Sequence, residues 1–199
     1  MNEELEEILN DTTSEMGGTD SAYAALLRLF QKNRMLLVPP RLLPGQVVFF
    51  TYKPVSEAFL NRRGHYDKYP LVVVTKVHKR GFEGVNLHYL SPKWRSQLFE
   101  VMMKQIPLLP PEEAEDWRSR FLIKENTLPS SARFRLYKPC FRRYLNEGVK
   151  RKPVVIPFDF WSDLVQANLA AFKTTGTSAR RVQPQTVYTK TYKRFIGGD

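Results

Sequence analysis

The side chains best equipped for chemistry in this chain are cations set among aromatics. Residues 133–144 (RFRLYKPCFRRY) place Arg133, Arg135, Lys138, Arg142 and Arg143 between Phe134, Tyr137, Phe141 and Tyr144. Guanidinium and ammonium groups neutralise phosphates, and an exposed aromatic ring stacks on a base. The same residues also read as a second small core with a solvated cationic face, and the sequence leaves both readings open. A second basic group falls on two loops: Arg62 and Arg63 in a long polar loop, Lys79 and Arg80 in a tight turn. Between Arg62 and Arg80 the only acid is Asp67. The expected DNA-binding residues are therefore Arg62, Arg63, Lys79, Arg80, Arg133, Arg135, Arg142 and Arg143.

Groups for covalent, acid–base or metal chemistry are sparse. The chain has no P-loop, no dinucleotide glycine fingerprint, no HExxH and no serine nucleophile elbow. His65, His78 and His88 lie in three different segments, and the one cysteine, Cys140, excludes an internal disulfide. His65 stands beside Tyr66-Asp67 and is the one histidine placed for acid–base work. Cys140 reads as a small buried residue, or as a thiol with a lowered pKa beside Lys138 and Arg142. The acids from Asp67 to Glu100 are not spaced as in a two-metal nuclease. No catalytic residue, no metal and no cofactor are expected, and the protein is not expected to be an enzyme.

The elements that must hold these residues begin with three apolar runs bounded by breakers. Gln46–Tyr52 follows Pro44-Gly45, Pro70–Val77 follows the polar loop, and Gly84–Leu90 follows Lys79-Arg80-Gly81. Runs of this length, rich in Val, Phe and Tyr, read as strands. Three strands close in sequence predict a small curled antiparallel sheet. Gly81 suits a turn with positive φ, and Gly84 inside a strand predicts a bulge or a tight corner. Asn86 and His88 share one strand face, either as a hydrogen-bonded pair or as the lining of a polar surface. Ser91-Pro92 opens a helix with Trp94 and Leu98 on its packed face. Pro139–Asn146 reads as helical, Val154–Ile156 as a strand, and Phe160–Phe172 as a helix capped by Asp159. Asp20 or Ser21 caps a helix over residues 22–36 whose Tyr23, Leu26, Leu27 and Phe30 form one apolar face. Another helix is expected over residues 112–123. From Lys173 on, the chain reads as an extended arm whose Val187–Ile196 stretch could add to a sheet edge.

Charge is unevenly placed. The 199 residues carry a formal net charge of +11, yet residues 1–27 hold seven acids and no Lys or Arg. The remainder sets 31 basic residues against 13 acidic ones, a net of +18. A basic body with an acidic leader predicts a polyanionic partner, nucleic acid first. No apolar run approaches the ~20 residues of a membrane span, so no membrane role is expected. The expected organisation is an acidic leader plus amphipathic helix over 1–40, an SH3-like barrel with packed helices over 41–172, and a basic extended arm over 173–199. The fold class is α+β: a small SH3-like antiparallel β-barrel with appended helices and extended arms.

Two blocks carry a family resemblance over roughly residues 43–165. The first is Tyr66-Asp67-Lys68-Tyr69-Pro70-Leu71-Val72 followed by Gly81-Phe82-Glu83-Gly84-Val85-Asn86-Leu87-His88-Tyr89-Leu90. The second is Lys138-Pro139-Cys140-Phe141-Arg142-Arg143-Tyr144-Leu145 followed by Val155-Ile156-Pro157 and Trp161. Together they resemble the DNA end-protector or head-completion proteins of T4-like tailed phages. The resemblance implies a virion protein, present in host cytoplasm during assembly, that binds the ends of packaged double-stranded DNA beside other phage structural proteins. The family's apolar-Pro-x-Glu-x-Phe element after the tryptophan is replaced here by Gln166–Phe172 and a basic tail. The alternatives are an architectural neck, tail or baseplate subunit next to the portal with no DNA role, and a barrel ribonuclease of the PemK type using His65 or Asp67.

Overall fold

The computed structural model describes residues 42–55, 64–103, 137–156, 160–162, 170, 172–174 and 180–196. The expected acidic leader, the helices over 22–36 and 112–123, and Arg62, Arg63, Arg133 and Arg135 lie outside them.

Eight strands and two helices are built from these residues. The strands are β1 (Val47–Phe49), β2 (His65–Asp67), β3 (Leu71–His78), β4 (Gly81–Asn86), β5 (Phe141–Leu145), β6 (Val154–Val155), β7 (Phe172–Thr174) and β8 (Arg181–Val182). The helices are α1 (Pro92–Met103) and α2 (Pro184–Ile196). One sheet has the order β5-β4-β3-β1-β6, the other β2-β7-β8, and every pairing is antiparallel.

The apolar runs are continuous because the larger sheet is buried on both faces. Val47, Phe49, Leu71, Val73, Val85 and Val154 point into one core, which α1, α2 and Trp161 help to cover. Their neighbours Val48, Phe50, Val72, Val74, Phe82 and Val155 point into the other. In that second core Phe50 meets Phe82 and Tyr144 edge-on at centroid separations of 5.3 and 5.1 Å. Each such fully buried side chain contributes about 1.5–3 kcal/mol.

Phe50 follows β1 and Tyr144 sits on β5, three strands away in the sheet, so the sheet curls. The chain after β5 also returns to the continuation of β1: Tyr52 bridges Val149, and Lys53 N–H donates to Gly148 O at 2.9 Å. Among the described residues the sheet nonetheless stays open, with β5 and β6 at its edges, and no closed barrel forms.

Two glycines fix the sheet's shape. Gly81 closes the Lys79-Arg80 turn with φ +153°. A bulge between Val74 and Lys76 bends β3 against β4. Gly84 lies at that bend, and a Cβ there would strike the Val73 carbonyl and approach Val72 Cγ1 to 2.7 Å.

Three expected elements differ in the structure. Residues 141–145 form a strand, not a helix. Pro139 sits within a 3-10 turn, Lys138–Cys140, and the alternation of Phe141, Arg143 and Leu145 with Arg142 and Tyr144 suits pairing with β4. Phe172 starts β7, so the helix expected from Phe160 does not extend to it; residues 163–169 lie outside the described ones. The C-terminal segment is not simply extended: β8 is followed by α2 over the very stretch expected to add as a strand. Pro184 presets the first helical turn, and the four-residue spacing of Tyr188 and Tyr192 outweighs the local alternation. Trp94 on α1 meets Tyr192 on α2 at 6.4 Å between rings. No helix among the described residues is long and apolar enough to cross a membrane.

Candidate functional site: an arginine-rimmed aromatic cavity

The β4–β5 pairing sets Gly84 opposite Arg142 and Glu83 opposite Arg143. It thereby places both arginines beside a cavity of about 460 Å³. Arg80, from the β3–β4 turn, joins them in its wall. The aromatic lining comes from Tyr52, Tyr66, Tyr89, Phe141 and Tyr144, and the polar floor from Asp67 and Asn86. A volume in the ~300–1,000 Å³ range with a few convergent polar groups is that of a small-ligand site.

Arg142 is held in place. Its Nη1 donates to the carbonyls of Pro139 and Phe141, and its guanidinium carbon sits 4.1 Å from the Tyr89 ring centroid. Its Nε is buried without a hydrogen-bond partner among the described residues. An unpaired buried N–H of a charged group is costly, and Nη2, which has no hydrogen bond among the described residues, is the nitrogen left for an anion. Arg80 and Arg143 are exposed, and Arg80 Nη2 reaches Glu147 Oε1 at 3.2 Å across an exposed pair. That contact is worth little in water.

Asp67 has its charge fully engaged. Oδ1 accepts from Tyr69 N–H at 3.1 Å. Oδ2 accepts from Asn86 Nδ2 at 3.1 Å and lies 2.8 Å from His88 Nδ1. Asn86 Nδ2 also donates to the Tyr144 hydroxyl at 3.0 Å, and its Oδ1 accepts from His88 N–H at 2.9 Å. Strand alternation predicts Asn86 and His88 on one strand face; His88 instead falls in a 3-10 turn just after β4, Asn86 caps its backbone N–H, and the two side chains meet through Asp67 Oδ2. Burial pushes the Tyr144 phenol well above its usual range, so it stays protonated.

Of the sequence-predicted cations, Arg80, Arg142 and Arg143 come together, while Lys79 is exposed at the turn and is not part of the cavity lining. His65 packs its ring against Tyr89 at 5.9 Å and edge-on to Phe172 at 5.7 Å. Cys140 is buried, and desolvation pushes its thiol up to about 12 against the weaker pull of Arg142. A lowered thiol pKa is therefore excluded. Among the described residues no cluster of His, Cys, Asp or Glu is suited to a metal ion.

Sequence reasoning missed the link from Asp67 to His88, and Tyr66 as cavity wall. It also missed Arg95, which is buried on α1 and donates from Nε to Leu90 O at 2.9 Å and from Nη2 to the Tyr188 hydroxyl at 2.8 Å. A charged residue directly after Trp94 on an otherwise packed face was the available signal. Comparison with known proteins returns no matching family model, no matching curated protein and no matching solved structure.

Proposed function

We propose that this protein binds nucleic acid without chemistry on it, as a tailed-phage virion protein that engages the ends of packaged double-stranded DNA. The observation that carries the reading is the convergence of Arg80, Arg142 and Arg143 on one cavity whose only acid among the described residues, Asp67, is turned to His88 and Asn86. Among the described residues the other acids are Glu83, Glu100 and Glu147; Glu83 pairs with His78, and Glu147 reaches Arg80 only across an exposed contact that is weak in water. Cations thus remain for phosphates. The two sequence blocks that resemble end-protector and head-completion proteins meet here, since β4 and β5 pair.

The SH3-like reading of the larger sheet draws support from its strand order and from the 3-10 turn Asn146–Gly148 between its last two strands. In the particle, portal, neck, tail or baseplate proteins would be the neighbours, and assembly would begin in host cytoplasm.

The test is a gel-shift with blunt linear duplex against covalently closed circles of the same sequence. Tighter binding to linear DNA, weakened by Arg142→Ala and Arg143→Ala with a shallower salt slope, is the expected result. Equal binding to circles removes the end-specific role. No binding to either form leaves the architectural subunit as the better description.

A further inference from the structure

Two side chains in the cavity have unused binding capacity. Tyr66 is half-buried in the wall and makes no ring contact and no side-chain hydrogen bond among the described residues. Arg142 has its Nη1 tied to two carbonyls and its Nε buried, while its Nη2 has no hydrogen-bond partner among the described residues. Nη2 is thus the guanidinium nitrogen left to donate a charge-assisted bond to a phosphate. The Tyr144 hydroxyl accepts from Asn86, which leaves its own O–H to donate into the cavity it lines.

A free aromatic face, a guanidinium nitrogen without a partner and a buried hydroxyl donor describe one ligand chemistry: an aromatic base bearing a phosphate. The volume of about 460 Å³ suits a single nucleotide and is too small to admit a duplex. We propose that the cavity seats one unstacked nucleotide, its base against Tyr66 and its phosphate on Nη2 of Arg142. This rests on the nucleic-acid reading above, in which the nucleotide is the terminal unit of a strand. It goes further, because it requires the last base to leave the helical stack. A blunt end must first unpair that base, whereas an end with one unpaired nucleotide presents it already free.

Fluorescence anisotropy on the full chain tests this with three duplexes of equal length: blunt, with a one-nucleotide 3′ overhang, and with a one-nucleotide 5′ overhang. Deoxyadenosine monophosphate serves as a separate ligand. At least one overhang is expected to bind about tenfold tighter than the blunt end, in keeping with ~1–3 kcal/mol for stacking one base. Tyr66→Ala is expected to bring that ratio near one, and Tyr66→Leu to do the same should the alanine variant fail to fold. Equal affinity of wild type for all three duplexes overturns the nucleotide seat and leaves end binding standing. An overhang preference that survives both Tyr66 variants also overturns it. Saturable binding of the mononucleotide, lost in Arg142→Ala, with no duplex binding keeps the nucleotide seat and removes the DNA-end function. No binding of any of these probes removes both.

Discussion

His88 Nδ1 lies 2.8 Å from Asp67 Oδ2, with the two side chains 0% and 2% exposed. With Asp67 ionised, the tautomer that fits carries its proton on Nδ1 and donates it to the carboxylate. The pair ties β2, in the small sheet, to the turn after β4, in the large one. It therefore holds the floor of the cavity at the junction of the two sheets. Removing one partner of such a buried charge-assisted hydrogen bond costs about 1.5–3 kcal/mol, because the other is left without its partner. Asp67→Asn also turns one acceptor into a donor facing the N–H groups of Asn86 and His88. Urea unfolding of Asp67→Asn is expected to show a loss near that range. A double-mutant cycle of Asp67→Ala with His88→Ala should give a coupling of about 1–3 kcal/mol. A single-mutant loss well below 1 kcal/mol would remove the structural role.

Gly84→Ala tests the bend of the sheet. The added methyl would enter the space of the Val73 carbonyl, which belongs to a central strand and cannot swing away as a side-chain tip would. β3 and β4 must separate or slip, and Val74 and Val85 lose packing with them. The expected outcome is a loss of at least ~3 kcal/mol or failure to accumulate as folded protein. A variant with an unchanged urea midpoint would show that the bulge at Val74/Lys76 absorbs the methyl.

Arg142→Lys distinguishes a fixed fork from a simple positive charge. Lysine keeps the charge but cannot bond two carbonyls, lie flat on Tyr89 and still present two N–H groups to an anion. The lysine variant is expected to lose most of the DNA affinity that Arg142→Ala loses, on the order of tenfold or more in Kd at low salt. Near wild-type binding by the lysine variant would assign Arg142 to general charge, with no role for its geometry.

The sheet was readable because its strands are short apolar runs fenced by Pro44-Gly45, Tyr69-Pro70 and Lys79-Arg80-Gly81. Local composition and local breakers suffice for such elements. The cavity was half readable. Arg80, Arg142 and Arg143 stood out as cations near aromatics, but only the β4–β5 pairing, made across more than fifty residues of chain, brings them together. Asp67 and His88 stand 21 positions apart, with no periodicity to link them, so their contact is a product of topology. Residues 141–145 misled for a physical reason: a short segment with two arginines and two aromatics has no strong preference, and the free edge of β4 decided its state. Residues 187–196 fit both a two-residue and a four-residue period. The docking partner on α1 chose between them.

That partner contact gives the next prediction. Arg95 is 1% exposed, and its Nη2 donates to the Tyr188 hydroxyl at 2.8 Å. Tyr188→Phe keeps the ring and removes the acceptor, leaving a buried guanidinium short of one partner. The expected cost is about 1.5–3 kcal/mol. It should appear first as faster amide exchange across residues 184–193, before global unfolding, because α2 meets the rest of the protein beside this bond. Unchanged protection of α2 in Tyr188→Phe would show that Val187 and the Trp94–Tyr192 contact suffice to hold it.

Buried acids of high pKa give the protein an alkaline limit. Desolvation pushes the Cys140 thiol from an ordinary 9.0 up to about 12, and raises Tyr144, Tyr52 and Tyr188 above an ordinary 10.0. Below the unfolded-state values both states hold these protons, so stability is unaffected. Above them the unfolded chain releases protons that the folded chain retains, so the unfolded state binds fewer and stability falls as pH rises. For Cys140 the loss starts near pH 9 and continues to about 12; the tyrosines add theirs from about pH 10. The urea midpoint of the wild type, measured under reducing conditions, is expected to be level from about pH 7 to 8.5 and to drop beyond. In Cys140→Ala the level region should extend to about pH 10, from a lower starting value because a small core void is left. General discharge of lysines is common to both proteins and cancels in the comparison. If the two midpoints run parallel from pH 8 to 11, the thiol is not held neutral by burial, and its site is wetter than the packing around it implies.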